Sequence, residues 1–157
     1  MKKVLIALDY NPTSQKVAEI GYATAKEMDA EVILLHVITN PEHYSSPEYS
    51  PIVGMQQGYM DTSPIQLDSE EGLTEASRHF LNQIKHQLHD ETIHTMVKEG
   101  DVAETILEAA KDKSADIIAI GSRSQNWLEN VLLGSITEKV IKHTPIPLLI
   151  IPIKSED

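Results

Sequence analysis

The segment DIIAIGSRSQNWLENVLLGSITEKVIKH, residues 116 to 143, decides the fold, because it sets out a strand, a long turn and a helix in that order. Ile117 to Ile120 form a continuous apolar run, as expected of a strand covered on both faces, and Gly121 ends it. Thirteen residues after Gly121, Gly134 precedes Ser135-Ile136-Thr137-Glu138, which matches the S/TxxE capping box. In that box the Ser135 hydroxyl accepts from the Glu138 N–H while the Glu138 carboxylate accepts from the Ser135 N–H. The spacing therefore predicts a helix that starts at Ser135 and includes Val140 and Ile141. Residues 121 to 134 become a long turn packed down by Leu128, Val131, Leu132 and Leu133, with Trp127 as an anchor.

Outward from this unit the same grammar repeats. KVLIAL (3 to 8) and EVILLHV (31 to 37) are continuous apolar strands, a weaker strand near 92 to 97 puts Ile93, Thr95 and Val97 on one face, and IPLLIIPI (146 to 153) ends the series. Pro147 and Pro152 bracket that last strand and cannot donate to a ladder. Four helical segments alternate with the strands. The first has Asn11 and Pro12 as cap and first helical residue, burying Val17, Gly21, Ala25 and Met28. The second opens near Asp68 with Leu73, Ala76, Phe80, Ile84 and Leu88 on one face. The third opens with Asp101 and Glu104, an acidic capping box, and buries Ile106, Leu107 and Ala110. Strands alternating with helices predict an α/β fold, a doubly wound, mainly parallel sheet with right-handed crossovers.

Residues 38 to 67 break the rhythm: they contain four of the eight prolines and no sustained period. A loop this long is uncommon. Two readings stay open, a flexible connection and a lid or partner surface given Tyr44, Tyr49, Met55, Tyr59 and Met60 to bury.

The 157 residues fit one domain, spanning 1 to 157, that buries roughly two thirds of its unfolded surface. The absence of cysteine excludes disulfides and thiolate chemistry and suits a reducing compartment. The first apolar run ends at Asp9, too short for a membrane span, so a cytoplasmic protein with no membrane partner is expected. A net charge of −11 argues against nucleic acid as a partner, because phosphate contacts need clustered Lys and Arg. From residue 121 onward the chain carries four basic and four acidic side chains, so an anion meets least repulsion there. His79, His86 and His89 share a rough helix face, but no ligand set completes them, and a solvated surface is the simpler reading.

In an open α/β sheet, ligands sit beyond the carboxyl ends of the strands at the point where strand order reverses. Asp9 follows the first strand and Gly121 ends the fourth. If those strands are neighbours, an acidic residue able to accept from ribose hydroxyls or an adenine amino group meets a glycine and serine turn with free helix N–H groups for an anion. On spacing alone, the favoured reading of the pattern is Asp9 as a simple cap and the glycines as simple turns.

At these residues the chain resembles the universal stress protein (UspA-like) family, in its ATP-binding branch. That family carries GxxG, nine residues, then G followed by S or T; here Gly121-Ser122-Arg123-Ser124 is followed by nine residues and Gly134-Ser135. The similarity also takes in VLIALDYNPTSQKVAEIGYATAKEMDAEVILLHV and LLGSITEKVIKHTPIPLLIIP, nearly the whole chain. It implies five parallel strands in the order 3-2-1-4-5, the three-layer architecture of adenine nucleotide alpha hydrolases. It also implies an adenine nucleotide, ATP or else ADP or AMP, with or without Mg2+. Ala7, Asp9 and Val37 would contact adenine and ribose; Gly121, Arg123 and Ser124 would line one side of the phosphates; Gly134, Ser135, Ile136 and Thr137 would line the other, with Ser135 and Thr137 adding hydroxyls; Ile120 would belong to the same cofactor-binding set. Ser124 departs from the motif glycine, where a side chain narrows the approach.

The resemblance further implies a cytoplasmic stress-response homodimer pairing through the C-terminal strand at 146 to 152, which senses nucleotide without fast turnover. There is no GxxxxGK[ST] and no evident general base beside the phosphates, so efficient hydrolysis has no support. Three rivals remain: a nucleotide-free dimeric interaction module, a slow ATPase, and a binder of another small ligand enclosed by the loop at 38 to 67.

Overall fold

The structure is a computed structural model that describes residues 1–10, 12–39, 70–122 and 134–153. Its elements run β1 (Lys3–Ala7), α1 (Ser14–Glu27), β2 (Glu31–Ile38), α2 (Glu70–Gln87), β3 (His94–Glu99), α3 (Val102–Asp112), β4 (Ile117–Gly121), α4 (Ser135–His143) and β5 (Leu148–Ile151). The strands form one parallel sheet in the order β3-β2-β1-β4-β5. This is the expected order, and helices cover both faces.

The continuous apolar strands follow from that double cover. Successive side chains of a strand point to opposite faces, so Val4, Ile6 and Leu34 join Val17, Ala18, Leu81 and Ile84 of α1 and α2 in one core layer. Leu5, Ile33, Leu35 and Ile118 join Ala103, Ile106, Ala110 and Val140 of α3 and α4 in the other. β3 is an edge strand, and Thr95, Met96 and Val97 are only half-buried, which explains its weak pattern. Ile93 lies just ahead of β3 and is fully packed against the layer under α1 and α2.

Helix ends differ from expectation in instructive ways. Pro12 lies ahead of α1 instead of at its first position; Thr13 is the N-cap, and Ser14 turns its hydroxyl back to the Asp9 carbonyl. Asn11 and Asp68 lie outside the described residues. Leu81, fully buried, belongs to the inner face of α2 beside the expected Leu73, Ala76 and Ile84. At α3 the Asp101 cap is in place, its carboxylate accepting from the Glu104 N–H at 3.0 Å, and Lys139 of α4 reaches the same carboxylate at 3.3 Å.

At α4 the helix begins at Ser135 as read, but the cap is Gly134 and no side chain caps it. Ser135 is the first helical residue and its side chain is exposed, so the reciprocal Ser135–Glu138 box does not form. The reason is tertiary: the Gly134 N–H is held by the Ser122 carbonyl at 2.9 Å, and its own carbonyl accepts from the Glu138 N–H at 3.0 Å, which sets the first turn one residue earlier. The loop expected at 38 to 67 loses Ile38 to β2, where it is buried. Residues 40–67 lie outside the described residues, as do Trp127, Leu128, Val131, Leu132 and Leu133.

Candidate functional site

β1 lies between β2 and β4, and the chain leaves β1 toward one neighbour while the other arrives from the far half of the molecule. This is the reversal point at which a doubly wound sheet opens a crevice beyond its carboxyl edge. The register Val4↔Ile117, Leu5↔Ile118, Ile6↔Ala119 carries Ala7 level with Ile120, so Asp9 and the turn after Gly121 emerge side by side.

Ser122 organises that turn. Its N–H donates to the Ile151 carbonyl at 3.0 Å, its carbonyl accepts from the Gly134 N–H at 2.9 Å, and its hydroxyl oxygen accepts from the Ile153 N–H at 3.0 Å. The carboxyl end of β4 is thereby brought against the start of α4 across the intervening segment. Thr137, buried in the first turn of α4, donates its hydroxyl hydrogen to the Gly121 carbonyl at 2.9 Å. A helix start leaves its first N–H groups without intrahelical acceptors. Those of Ser135, Ile136 and Thr137 meet no acceptor among the described residues, while Ser135 and Ile136 are exposed. Together with the helix dipole they favour an anion there, with Glu138 in the same turn as the opposing charge.

Gly121 serves the opposite face. A Cβ added to it would stand 3.1 Å from Ile153 Cδ1 and 3.2 Å from Val17 Cγ2, so the bare backbone lets α1 and the C-terminal segment close over the end of β4. Asp9 is exposed, and one of its carboxylate oxygens accepts from the Ser14 hydroxyl at 3.2 Å. Beneath it, His36 of β2 is buried, with Nδ1 2.8 Å from the Leu8 carbonyl. A carbonyl only accepts, so Nδ1 carries the proton and Nε2 is a bare acceptor, with no hydrogen-bond partner among the described residues. The Tyr10 ring stands 4.3 Å from the His36 ring and 4.8 Å from Phe80, and the Tyr10 hydroxyl meets that of Ser77. Burial pushes the His36 pKa down to about 4, against a smaller upward pull from the Leu8 carbonyl.

The residues named from the sequence therefore fall into groups. Ala7, Val37 and Ile120 share the face toward α3 and α4, all packed in one apolar layer at the carboxyl edge. Asp9 stands beside them in the open, and Gly121, Gly134, Ser135, Ile136 and Thr137 are gathered by the Ser122 bonds. Arg123 and Ser124 lie outside the described residues. Ser14, Ser122 and the His36–Tyr10–Phe80 stack were not singled out from the sequence. A serine just inside a helix after an Asp was a usable signal for Ser14; nothing local marked the other residues. The His86 and His89 rings are 6.5 Å apart, and no group of three or more possible metal ligands occurs among the described residues. Among them, too, no helix is long and apolar enough to cross a membrane.

A model of the universal stress protein family matches residues 1–152. The chain belongs to the universal stress protein family. This universal stress protein is 33% identical over 152 residues to universal stress protein MJ0531 of Methanocaldococcus jannaschii, covering 96% of this chain and 81% of the relative. It is 30% identical over 156 residues to universal stress protein MJ0577 of the same organism, with 98% and 96% covered. The solved structure of MJ0577 superposes with a TM-score of 0.71 over 99% of this chain and 98% of that one. A universal stress protein solved in complex with cAMP, 17% identical, shares the fold with a TM-score of 0.61 over 98% of each chain.

Proposed function

We propose that this universal stress protein binds ATP or a related adenine nucleotide at the β1–β4 crevice and acts as a cytoplasmic stress-response homodimer that senses occupancy by shape, without fast turnover. The observation that carries the reading is the 2.9 Å bond from the Gly134 N–H to the Ser122 carbonyl, which ties the start of α4, with its open N–H groups, to the end of β4, the strand next to β1. Phosphate oxygens accept from Ser135, Ile136 and Thr137 N–H groups and from the Ser135 hydroxyl, with Gly121, Arg123 and Ser124 on the other side. The Thr137 hydroxyl, which donates to Gly121, contributes to the phosphates only by orienting the turn. Adenine lies against Ala7, Val37 and Ile120, and the Asp9 carboxylate accepts from ribose hydroxyls. A Mg2+ ion, where one accompanies the phosphates, takes most of its ligands from them and from water. That the fold accommodates an adenine nucleotide in the protein solved with cAMP agrees with this reading.

The test is equilibrium dialysis with ATP, ADP and AMP, joined to a denaturing mass spectrum of ligand carried through purification. Retention of an adenine nucleotide, lowered about tenfold by Asp9→Ala, is the expected result, since a hydrogen bond to a charged group is worth about 1.5–3 kcal/mol. No retention at millimolar nucleotide refutes it. Ser124 in place of the motif glycine favours a second reading, a nucleotide-free module; a large gain of affinity in Ser124→Gly would support that reading. For the dimer, the parallel edge strand β5 offers half-buried Leu148, Leu149 and Ile150 to a second copy, and sedimentation of a Leu149→Lys variant as a monomer is the expected outcome.

A further inference from the structure

We propose that Ser122 is the positioning residue that couples the nucleotide site to the C-terminal edge of the sheet, so that ligand held at the start of α4 also steadies the chain leaving β5. The coupling rests on the nucleotide reading above for its ligand, but its geometry stands by itself. β4 and β5 pair in register from Ile118↔Leu148 to Gly121↔Ile151, and the Ser122 N–H extends that ladder to the Ile151 carbonyl. The next residue of the C-terminal segment, Pro152, has no N–H to give. The first donor after it is Ile153, by which point β4 has ended and offers no further strand carbonyl.

The Ser122 hydroxyl supplies the missing acceptor, at 3.0 Å from the Ile153 nitrogen. Held there, Ile153 is buried and lays its side chain over the bare face of Gly121, in the space a Cβ would need. The carbonyl of the same serine accepts from Gly134, and the carbonyl of the preceding glycine accepts from the Thr137 hydroxyl. Two consecutive peptides thus hold the end of β4, the first turn of α4 and the exit of β5 together. Ser122 is itself only 8% exposed, so water is a poor substitute for any of these partners. An anion that draws on the N–H groups of α4 restrains Gly134 and Thr137, and through residues 121 and 122 it restrains Ile153, which it does not touch.

Amide hydrogen exchange read residue by residue tests this, with the native chain, Ser122→Ala and Ser122→Thr, each with and without ATP. In the native chain, ATP slows exchange at the Ile153 amide as well as at Gly134. Ser122→Ala speeds both amides by about fivefold without ligand, the scale of one hydrogen bond, and lowers ATP affinity by a similar factor. Ser122→Thr, which keeps the oxygen, restores both, whereas a role confined to local packing gives no such rescue and leaves ATP affinity unchanged. The ATP effect on Ile153 is read in the native chain and so stands even if the alanine variant does not fold. If ATP binds but leaves the Ile153 amide unaltered, the coupling is overturned and the nucleotide reading survives; if ATP does not bind at all, that reading falls and the coupling with it.

Discussion

Acidification forces a proton toward His36, whose surroundings accept the neutral ring and oppose the charged one. His36 is 3% exposed, Nδ1 already donates to the Leu8 carbonyl at 2.8 Å, and among the described residues Nε2 has no partner to receive a new N–H. Among the described residues the rings packed on it are Tyr10 and Phe80, neither of them charged. Burial holds the folded pKa at about 4, below the ordinary value of 6.5. The unfolded chain therefore takes up the proton first as the pH drops. Stability from the neutral ring is fully present above pH 6.5, declines between about 6.5 and 4, and is lost as pH falls through the folded pKa. A difference of this size corresponds to about 3 kcal/mol, a large share of the roughly 5–15 kcal/mol typical of a domain. Urea unfolding at intervals from pH 7.5 to 4.5 reads it directly. The native chain should lose about 2.5 kcal/mol over that range beyond what His36→Gln loses, the remainder falling below about pH 4.5, since glutamine keeps an N–H donor for Leu8 without titrating. Equal pH slopes in the two proteins, or a His36 resonance titrating at or above 6.5, refute the reasoning. Because the proton lands under Leu8 and Tyr10, any acid-induced opening should appear first in the connection that carries Asp9.

Other expectations follow from single positions. Asp29 and Ser114 sit at φ 54° and 57°, in turns where the next N–H reaches back to the helix, Ala30 to Ala25 and Ala115 to Ala110. Replacing either with glycine should stabilise the protein by about 0.5–1 kcal/mol in urea unfolding, because the left-handed region costs a residue with a Cβ about that much or more. Gly100 is at φ 141°, and a Cβ there would stand 2.8 Å from Thr105 Oγ1, so Gly100→Ala should lower the melting temperature, at a cost of about 1–3 kcal/mol. Asp90 takes hydrogen bonds from Thr92 and Tyr22, which hold its pKa near 2. Asp90→Ala should therefore destabilise by about 1–3 kcal/mol at pH 7, and the native advantage should fade as pH falls from about 4 toward 2, measured by the same unfolding series.

The sequence was most legible where one pattern had one physical cause. Continuous apolar runs at 3 to 8, 31 to 37 and 116 to 121 meant strands covered on both faces, and both core layers bear this out. It was least legible where a local motif competed with a distant partner. Ser135 and Glu138 have the spacing of a capping box, yet the Gly134 N–H finds a carbonyl at Ser122 and the cap moves back a residue. Pro12 looked like a first helical residue, yet the Ser14 hydroxyl closes on Asp9 and α1 begins there. His36 sat unnoticed inside EVILLHV, because one histidine in an apolar strand carries no periodic signal.

By itself the sequence determined the alternation of strands and helices, the family, and the few residues from which a crevice is built. Those are properties of local propensity, apolar period and spacing, each carried by residues near one another in the chain. Tertiary structure decided what those residues do. It turned the Gly121 face toward Val17 and Ile153, gave the Thr137 hydroxyl to the Gly121 carbonyl, and made Ser122 the junction of three segments. These assignments are contests for hydrogen-bond partners and for space between residues distant in the chain, Val17 and Gly121 among them, and they are settled only when the sheet has assembled.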